Sequence, residues 1–218
     1  MAEVRDDEAC PIPPGTSFMA AEGFVAESEA GNIDAAQLTA ALQALLVDKG
    51  LLADGEVEQE IARIEAPGPH LGARLVARAW ADPDFKARLL KDGKTACAEL
   101  GFKIGEAQLV VVENTERDHN LIVCTLCSCY PRSILGQPPT WYISKSYRAR
   151  AVREPRVVLR EFGLDLPNDV RVRVHDSNAD MRYLVLPRRP EGTNAWSEDA
   201  LAVLVTRDAL IGTAVAKV

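Results

Sequence analysis

Val123-Cys124-Thr125-Leu126-Cys127-Ser128-Cys129-Tyr130 is the stretch on which the reading of this chain turns. Three of the five cysteines fall inside it. Thiols at relative positions one, four and six face one point only if the backbone wraps into a tight loop, a claw that also carries the intervening amide nitrogens close to that point. Soft thiolates select borderline or soft transition metals, and a metal at that point would deprotonate them. Three other fates compete. A structural zinc usually takes four ligands from two separated pairs, whereas no second pair is present here and only His119 lies nearby. A disulfide within so tight a loop would be strained and would leave one thiol over. Free cysteines can also pack inertly as small hydrophobes. The spacing favours a metal or redox role.

Outward from the claw, the composition sets limits. A chain of 218 residues can bury a sizeable core in one or two domains. With 47% hydrophobic and 26% charged residues it is not globally disordered. A net charge of −7 supplies no electrostatic footprint for nucleic acid or an anionic membrane. No apolar run approaches the roughly 18 residues a membrane helix needs, and the N-terminus lacks a secretory pattern. An odd number of cysteines without an export signal fits a reducing, cytoplasmic setting. Cys10 and Cys97, isolated in sequence, read as incidental or structural.

Residues 1–30, with Pro11, Pro13, Pro14 and scattered acids, read as a disordered or partner-wrapping arm. Residues 31–105 read as helical. Asp34 is a candidate cap for a helix carrying Leu38, Leu42, Leu45 and Leu46, Asp54 for a second with Val57, Ile61 and Ile64. After Pro67-Gly68-Pro69, a third is expected over about Leu71–Trp80, and a fourth from Pro83 to about Glu99. Residues 106–218 change character. Strands are expected at Gln108–Glu113 and Leu121–Val123, and helix over Tyr147–Val152 and Pro155–Phe162. Val170–Val174 and Arg182–Leu186 alternate as strands, expected to form an antiparallel hairpin around Asp176-Ser177-Asn178. Ser197 and Glu198 open a last helix, expected to reach Val205. The fold class is α+β, a helical N-terminal part followed by a mixed helix-and-strand domain.

The claw sequence resembles the metal-binding signature of the catalytic alpha subunit of nitrile hydratases, and that of the homologous gamma subunit of thiocyanate hydrolase. The likeness extends over roughly residues 35–215, through Leu75–Trp80 with Asp82-Pro83, Val111–Thr115, Ile134-Leu135-Gly136, Trp141-Tyr142, Tyr147–Arg150, Val152–Arg156, Arg182–Pro187 and Val205–Asp208, in the right order. It implies a layered α-β-β-α catalytic domain and one non-corrin metal ion per chain. The ligands it implies are the sulfurs of Cys124, Cys127 and Cys129 and the backbone nitrogens of Ser128 and Cys129, with Cys127 oxidised to sulfinate and Cys129 to sulfenate. Thr125 and Tyr130 resemble the cobalt branch, which implies Co(III), with Fe(III) as the alternative. The implied reaction hydrates a nitrile to an amide, water or the Cys129 sulfenate oxygen attacking the nitrile carbon and the Ser128 hydroxyl lying beside the open metal position. A beta-type partner subunit would supply two arginines to the oxidised cysteines. Arg182, with Asp176 before it, matches a position supporting the site or the subunit contact.

Two departures bear on the substrate. Arg132 stands where cobalt nitrile hydratases commonly carry a pocket-lining Trp; Pro131–Gln137 and Asp176-Ser177-Asn178 are closer to thiocyanate hydrolase. A guanidinium there suits an anion or a polar heteroaromatic nitrile. Ile104 precedes Gly105-Glu106 where many relatives have a pocket-lining Gln, and Gln108 is offset from that place. The runner-up reading is a thiocyanate hydrolase gamma subunit, releasing carbonyl sulfide and ammonia; a non-catalytic metal or redox module is the third. His70, His119 and His175 have no motif around them and read as surface or satisfied core residues.

Overall fold

Four six-residue strands position the rest of the molecule: β1 (Gln108–Glu113), β2 (Asp118–Val123), β3 (Arg171–Asp176) and β4 (Met181–Leu186). The structure, a computed structural model, describes residues 29–218; the arm expected over 1–30 lies outside them up to residue 28, and Cys10 with it. β1 pairs with β4 in parallel, Gln108 opposite Met181 and Glu113 opposite Leu186. β2 pairs with β3 in parallel, Asp118 opposite Arg171 and Val123 opposite Asp176.

The hairpin expected between the last two strands is therefore corrected: they belong to different sheets. The connection shows why. Asn178 Oδ1 accepts the amides of Asp180 and Met181, each at 3.0 Å. This turn of the Asx type hands the chain from one sheet to the other rather than folding it back on itself. Parallel pairing demands long crossovers, which the intervening helices supply.

Two helices come first, α1 (Glu29–Asp48) and α2 (Glu56–Glu65). Asp34 lies inside α1 rather than at its cap. Gly55 in left-handed conformation, not Asp54, precedes α2. No residue of α2 is buried, and Leu38, Leu42, Leu45, Ile61 and Ile64 present apolar surface to solvent. Burial begins with α3 (Pro69–Ala81), whose Leu75, Val76, Ala77 and Ala79 are enclosed. The single helix expected from Pro83 is two, α4 (Pro83–Lys91) and α5 (Gly93–Glu99). Asp82 caps the first through the amides of Asp84 and Phe85, and Asp92 interrupts the run to cap the second through Thr95. Gly93 permits the break to sit against β1, because a Cβ there would meet the Leu109 carbonyl oxygen.

After the claw come α6 (Arg132–Leu135), α7 (Thr140–Ile143), α8 (Lys145–Arg153) and α9 (Pro155–Glu161). The expected last helix stops at Val203 as α10 (Glu198–Val203), and Thr206 caps a further one, α11 (Arg207–Ile211). Helices α4 and α5 pack on β1 and α11 on β4, while α8 packs on β2 and α9 on β3; β2 and β4 meet between the sheets. The order helix, sheet, sheet, helix is the layered α-β-β-α arrangement. Its centre is Leu121, Ile122, Leu184 and Val185, all enclosed, each such side chain stabilising the fold by about 1.5–3 kcal/mol. No helix among the described residues is long and apolar enough to cross a membrane.

Candidate metal centre

The claw leaves the end of β2, where Val123 is fully buried, and its loop is tied on every side. The Asp176 carboxylate, at the end of β3, accepts the Thr125 amide at 2.9 Å and the Thr125 hydroxyl at 2.5 Å. Arg148 Nη2 donates to the carbonyls of Thr125 and Leu126 at 3.2 and 3.4 Å. The Tyr142 hydroxyl donates to the Cys129 carbonyl at 2.8 Å, and Tyr147 to the Ile122 carbonyl at 2.6 Å. Tyr130 is buried edge-on to Tyr142 with ring centroids 5.0 Å apart. An aromatic floor thus stands under a loop with no regular secondary structure of its own.

These ties turn the three sulfurs inward. The Sγ atoms of Cys124, Cys127 and Cys129 all lie within 4.8 Å of one another. The first two are 3.4 Å apart and the last two 3.1 Å, so all three are free thiols rather than a disulfide. The Cys127 amide donates to Cys124 Sγ at 3.2 Å. Burial differs along the triad: Cys124 is enclosed, Cys129 half-buried and Cys127 exposed. The hydrogen bond from the Cys129 thiol, with further ones from Cys124 and the Cys129 and Ser128 amides, pulls the Cys127 thiol down to about 7. Desolvation pushes Cys129 up to about 12. The Cys127 thiol thus gives up its proton more readily than a free thiol, and amide nitrogens crowd the same point. This donor set fits a borderline or soft transition metal. Among the described residues no fourth His, Cys, Asp or Glu joins the group.

Cys127, Ser128 and Cys129 border a cleft of about 470 Å³, together with Arg132, Arg182 and Glu106. Arg132 is exposed at this cleft and Arg182 half-buried. Nε and Nη1 of Arg182 are buried without a hydrogen-bond partner among the described residues, and its charge acts on Cys129. Asp176 does not border the cleft; it clasps the loop from outside. Ile104 is in the core at 8% exposure, and Gln108 opens β1 directly after Ala107, which borders the cleft. His119 has both ring nitrogens engaged, Nε2 with the Gly212 carbonyl at 2.6 Å and Nδ1 with Asn114 at 3.3 Å, and burial lowers its pKa. His175 Nε2 meets Asn120 Oδ1 at 2.8 Å. His70 is exposed.

The geometry also brings in residues that reading the chain did not single out for the site: Glu106, Ser133, Tyr142 and Arg148. Tyr142 and Arg148 stood inside stretches matching the resemblance, the one signal that could have found them.

The nitrile hydratase alpha chain family matches residues 33–214. The chain belongs to that family. A low-molecular weight cobalt-containing nitrile hydratase subunit alpha of Rhodococcus rhodochrous is 52% identical over 188 residues, covering 84% of this chain and 90% of that one. The thiocyanate hydrolase subunit gamma of Thiobacillus thioparus is 45% identical over 192 residues, covering 83% and 79%. Among solved structures, a double mutant of the Fe-type nitrile hydratase from Comamonas testosteroni Ni1 superposes with a TM-score of 0.77 at 47% identity, covering 85% of this chain and 91% of that one. Both cobalt-containing and Fe-type members are therefore similar to it.

Proposed function

We propose that this chain is the metal-bearing catalytic subunit of a cobalt nitrile hydratase, converting a nitrile to its amide. The observation that carries this is the convergence of three thiol sulfurs within 4.8 Å at the edge of a cleft with unpartnered polar atoms. The Cys124, Cys127 and Cys129 sulfurs and the backbone nitrogens of Ser128 and Cys129 would hold one Co(III), which supplies Lewis acidity without redox cycling. Thr125 and Tyr130 of the claw and the cobalt-containing relatives support cobalt over iron.

The chain's own residues prepare the rest. Tyr142 and Arg148 fix the loop by its carbonyls, leaving the thiols free to converge. Ser128 borders the cleft, and its hydroxyl would lie beside the open metal position. Arg182 places positive charge beside Cys129, which favours anionic sulfur and, in the mature centre, the oxidised forms of Cys127 and Cys129. Arg132 brings a second cation to the cleft and directs it to polar or heteroaromatic nitriles. A beta-type partner subunit would close the cleft and contribute arginines to the oxidised sulfurs. Exposure of Cys127 and of Leu126, the latter 82% exposed, at the claw supports such a cover.

Native mass spectrometry of the chain co-expressed with a beta-type subunit in cobalt-supplemented medium tests this. One cobalt per chain with added oxygen mapped to Cys127 and Cys129 is expected, together with amide release from nitriles. A fully metallated complex releasing no amide would end the reading. Arg132 at the cleft favours one second reading, a thiocyanate hydrolase gamma subunit; carbonyl sulfide from thiocyanate in the same assay would select it.

A further inference from the structure

The cleft beside the claw holds an uncompensated acceptor as well as uncompensated donors. Glu106 is locked by three contacts. Its Oε1 accepts the Ser133 amide at 3.0 Å, its own carbonyl accepts Lys94 Nζ at 2.8 Å, and the Gly105 amide before it donates to Ser133 Oγ at 2.9 Å. Oε2 remains, buried and without a hydrogen-bond partner among the described residues. Leaving a carboxylate oxygen in that state costs about 1–3 kcal/mol or more, and among the described residues no ion pair relieves it: Arg182, on the same cleft, also keeps Nε and Nη1 without a partner there. Both residues border the cleft, and each keeps a buried polar atom without a partner among the described residues, a pairing that a molecule carrying both an acceptor and a donor would satisfy.

Resting on the hydratase reading, we propose that Glu106 is a substrate-contacting residue whose free oxygen accepts a hydrogen bond from the N–H groups that exist only once hydration is under way. The balance of atoms makes the selectivity plain. A nitrile and one water become R–C(=O)–NH2; both water protons end on nitrogen. A nitrile offers a lone pair and no donor, so it can take a hydrogen bond from Arg182 but can give none to Glu106. The product amide carries two N–H donors that the nitrile lacks. The Glu106 contact is therefore stronger late in the reaction than in the bound nitrile, and such an interaction acts on kcat rather than on KM. A primary amide, donor and acceptor at once, is complementary to Glu106 and Arg182 together.

Ser133 makes the test sharp. Its amide needs an acceptor, so in Glu106→Gln the side-chain oxygen turns to Ser133 and the NH2 group faces the cleft. An acceptor becomes a donor with almost no change of shape. In the cobalt-loaded complex, E106Q is expected to lower kcat by about 10- to 100-fold with KM for the nitrile within about 3-fold, and with unchanged cobalt content and melting temperature. Binding of the primary amide product, measured by calorimetry, should weaken to match. The wild-type complex supplies an independent arm: it should bind the primary amide more tightly than the N,N-dimethyl amide of the same acid, which has no N–H. Unchanged kcat and amide binding in E106Q, equal wild-type binding of the two amides, or a loss in E106Q that merely tracks lost cobalt or lost stability would each overturn the proposal. Absence of nitrile hydration by the metallated wild type is a separate result, and would count against the hydratase reading itself.

Discussion

The region around Cys97 and the claw around Cys127 hold the same side chain in opposite states. Cys97, on α5, is 0% exposed, and burial, with the Glu106 and Asp92 carboxylates adding to it, pushes its thiol up to about 12. Cys127 is exposed and pulled down to about 7 by its neighbours' thiols and amides. A regular helix buries its thiol as a small apolar group. An irregular loop, tied by its carbonyls, gathers thiols and amide hydrogens at one point. Reactivity here belongs to the shape of the loop and not to the residue type.

The largest effect should come from breaking the claw. Cys127→Ala or Cys129→Ala is expected to abolish stoichiometric cobalt and turnover, while Cys97→Ala leaves both in place; metal analysis of the purified complexes checks this, and cobalt retained at one per chain in Cys127→Ala would refute the assigned ligand set. Stability should respond the other way round. Cys97→Ser places a hydroxyl among apolar side chains and should cost about 1–3 kcal/mol in denaturant unfolding, whereas Cys127→Ser, at the surface, should cost about 0.5 kcal/mol or less. A third substitution joins the two regions' logic: Tyr142→Phe removes the hydroxyl that holds the Cys129 carbonyl. It should cost about 1 kcal/mol and also lower cobalt retention under chelator challenge; loss of stability without faster cobalt release would show the carbonyl tie to be structural only.

The smallest effect concerns pH. Burial holds the His119 pKa below its ordinary value, and His175 follows it for the same reason. The unfolded chain takes up those protons at about pH 6.5, the folded one only at lower pH. Their contribution is complete above about pH 6.5 and is lost as the pH falls from there through the depressed folded values. Denaturant midpoints should fall between about pH 7 and 5, and His119→Gln should flatten that slope. An unaltered slope would remove His119 from the account.

Much of this could be read along the chain because it is local. The claw is one contiguous stretch, and periodicity located the strands and the major helices. What escaped depends on chain segments meeting across the fold. Alternation identified β3 and β4 as strands but could not say that the Asn178 turn hands them to separate sheets. The break at Asp92 was hidden because Asp is tolerated inside a helix until its side chain takes an amide three residues on. Glu106 reaches the site through Ser133, and Arg148 through the Thr125 and Leu126 carbonyls. A carboxylate or guanidinium far from the cysteines carries no mark, in one dimension, of where its partner will be.

The clasp of Asp176 on Thr125 has a consequence for synthesis. β2 finds its neighbour in β3, and β1 finds its own only in β4. The claw therefore emerges from the ribosome long before the strand that shapes it, and such distant pairings form late. Cobalt capture is expected to be post-translational: a chain arrested before Arg171 should retain no cobalt through gel filtration, and metal retained by such a fragment would show that the loop shapes itself. Through that interval the thiols lack the clasp that Asp176 places on Thr125.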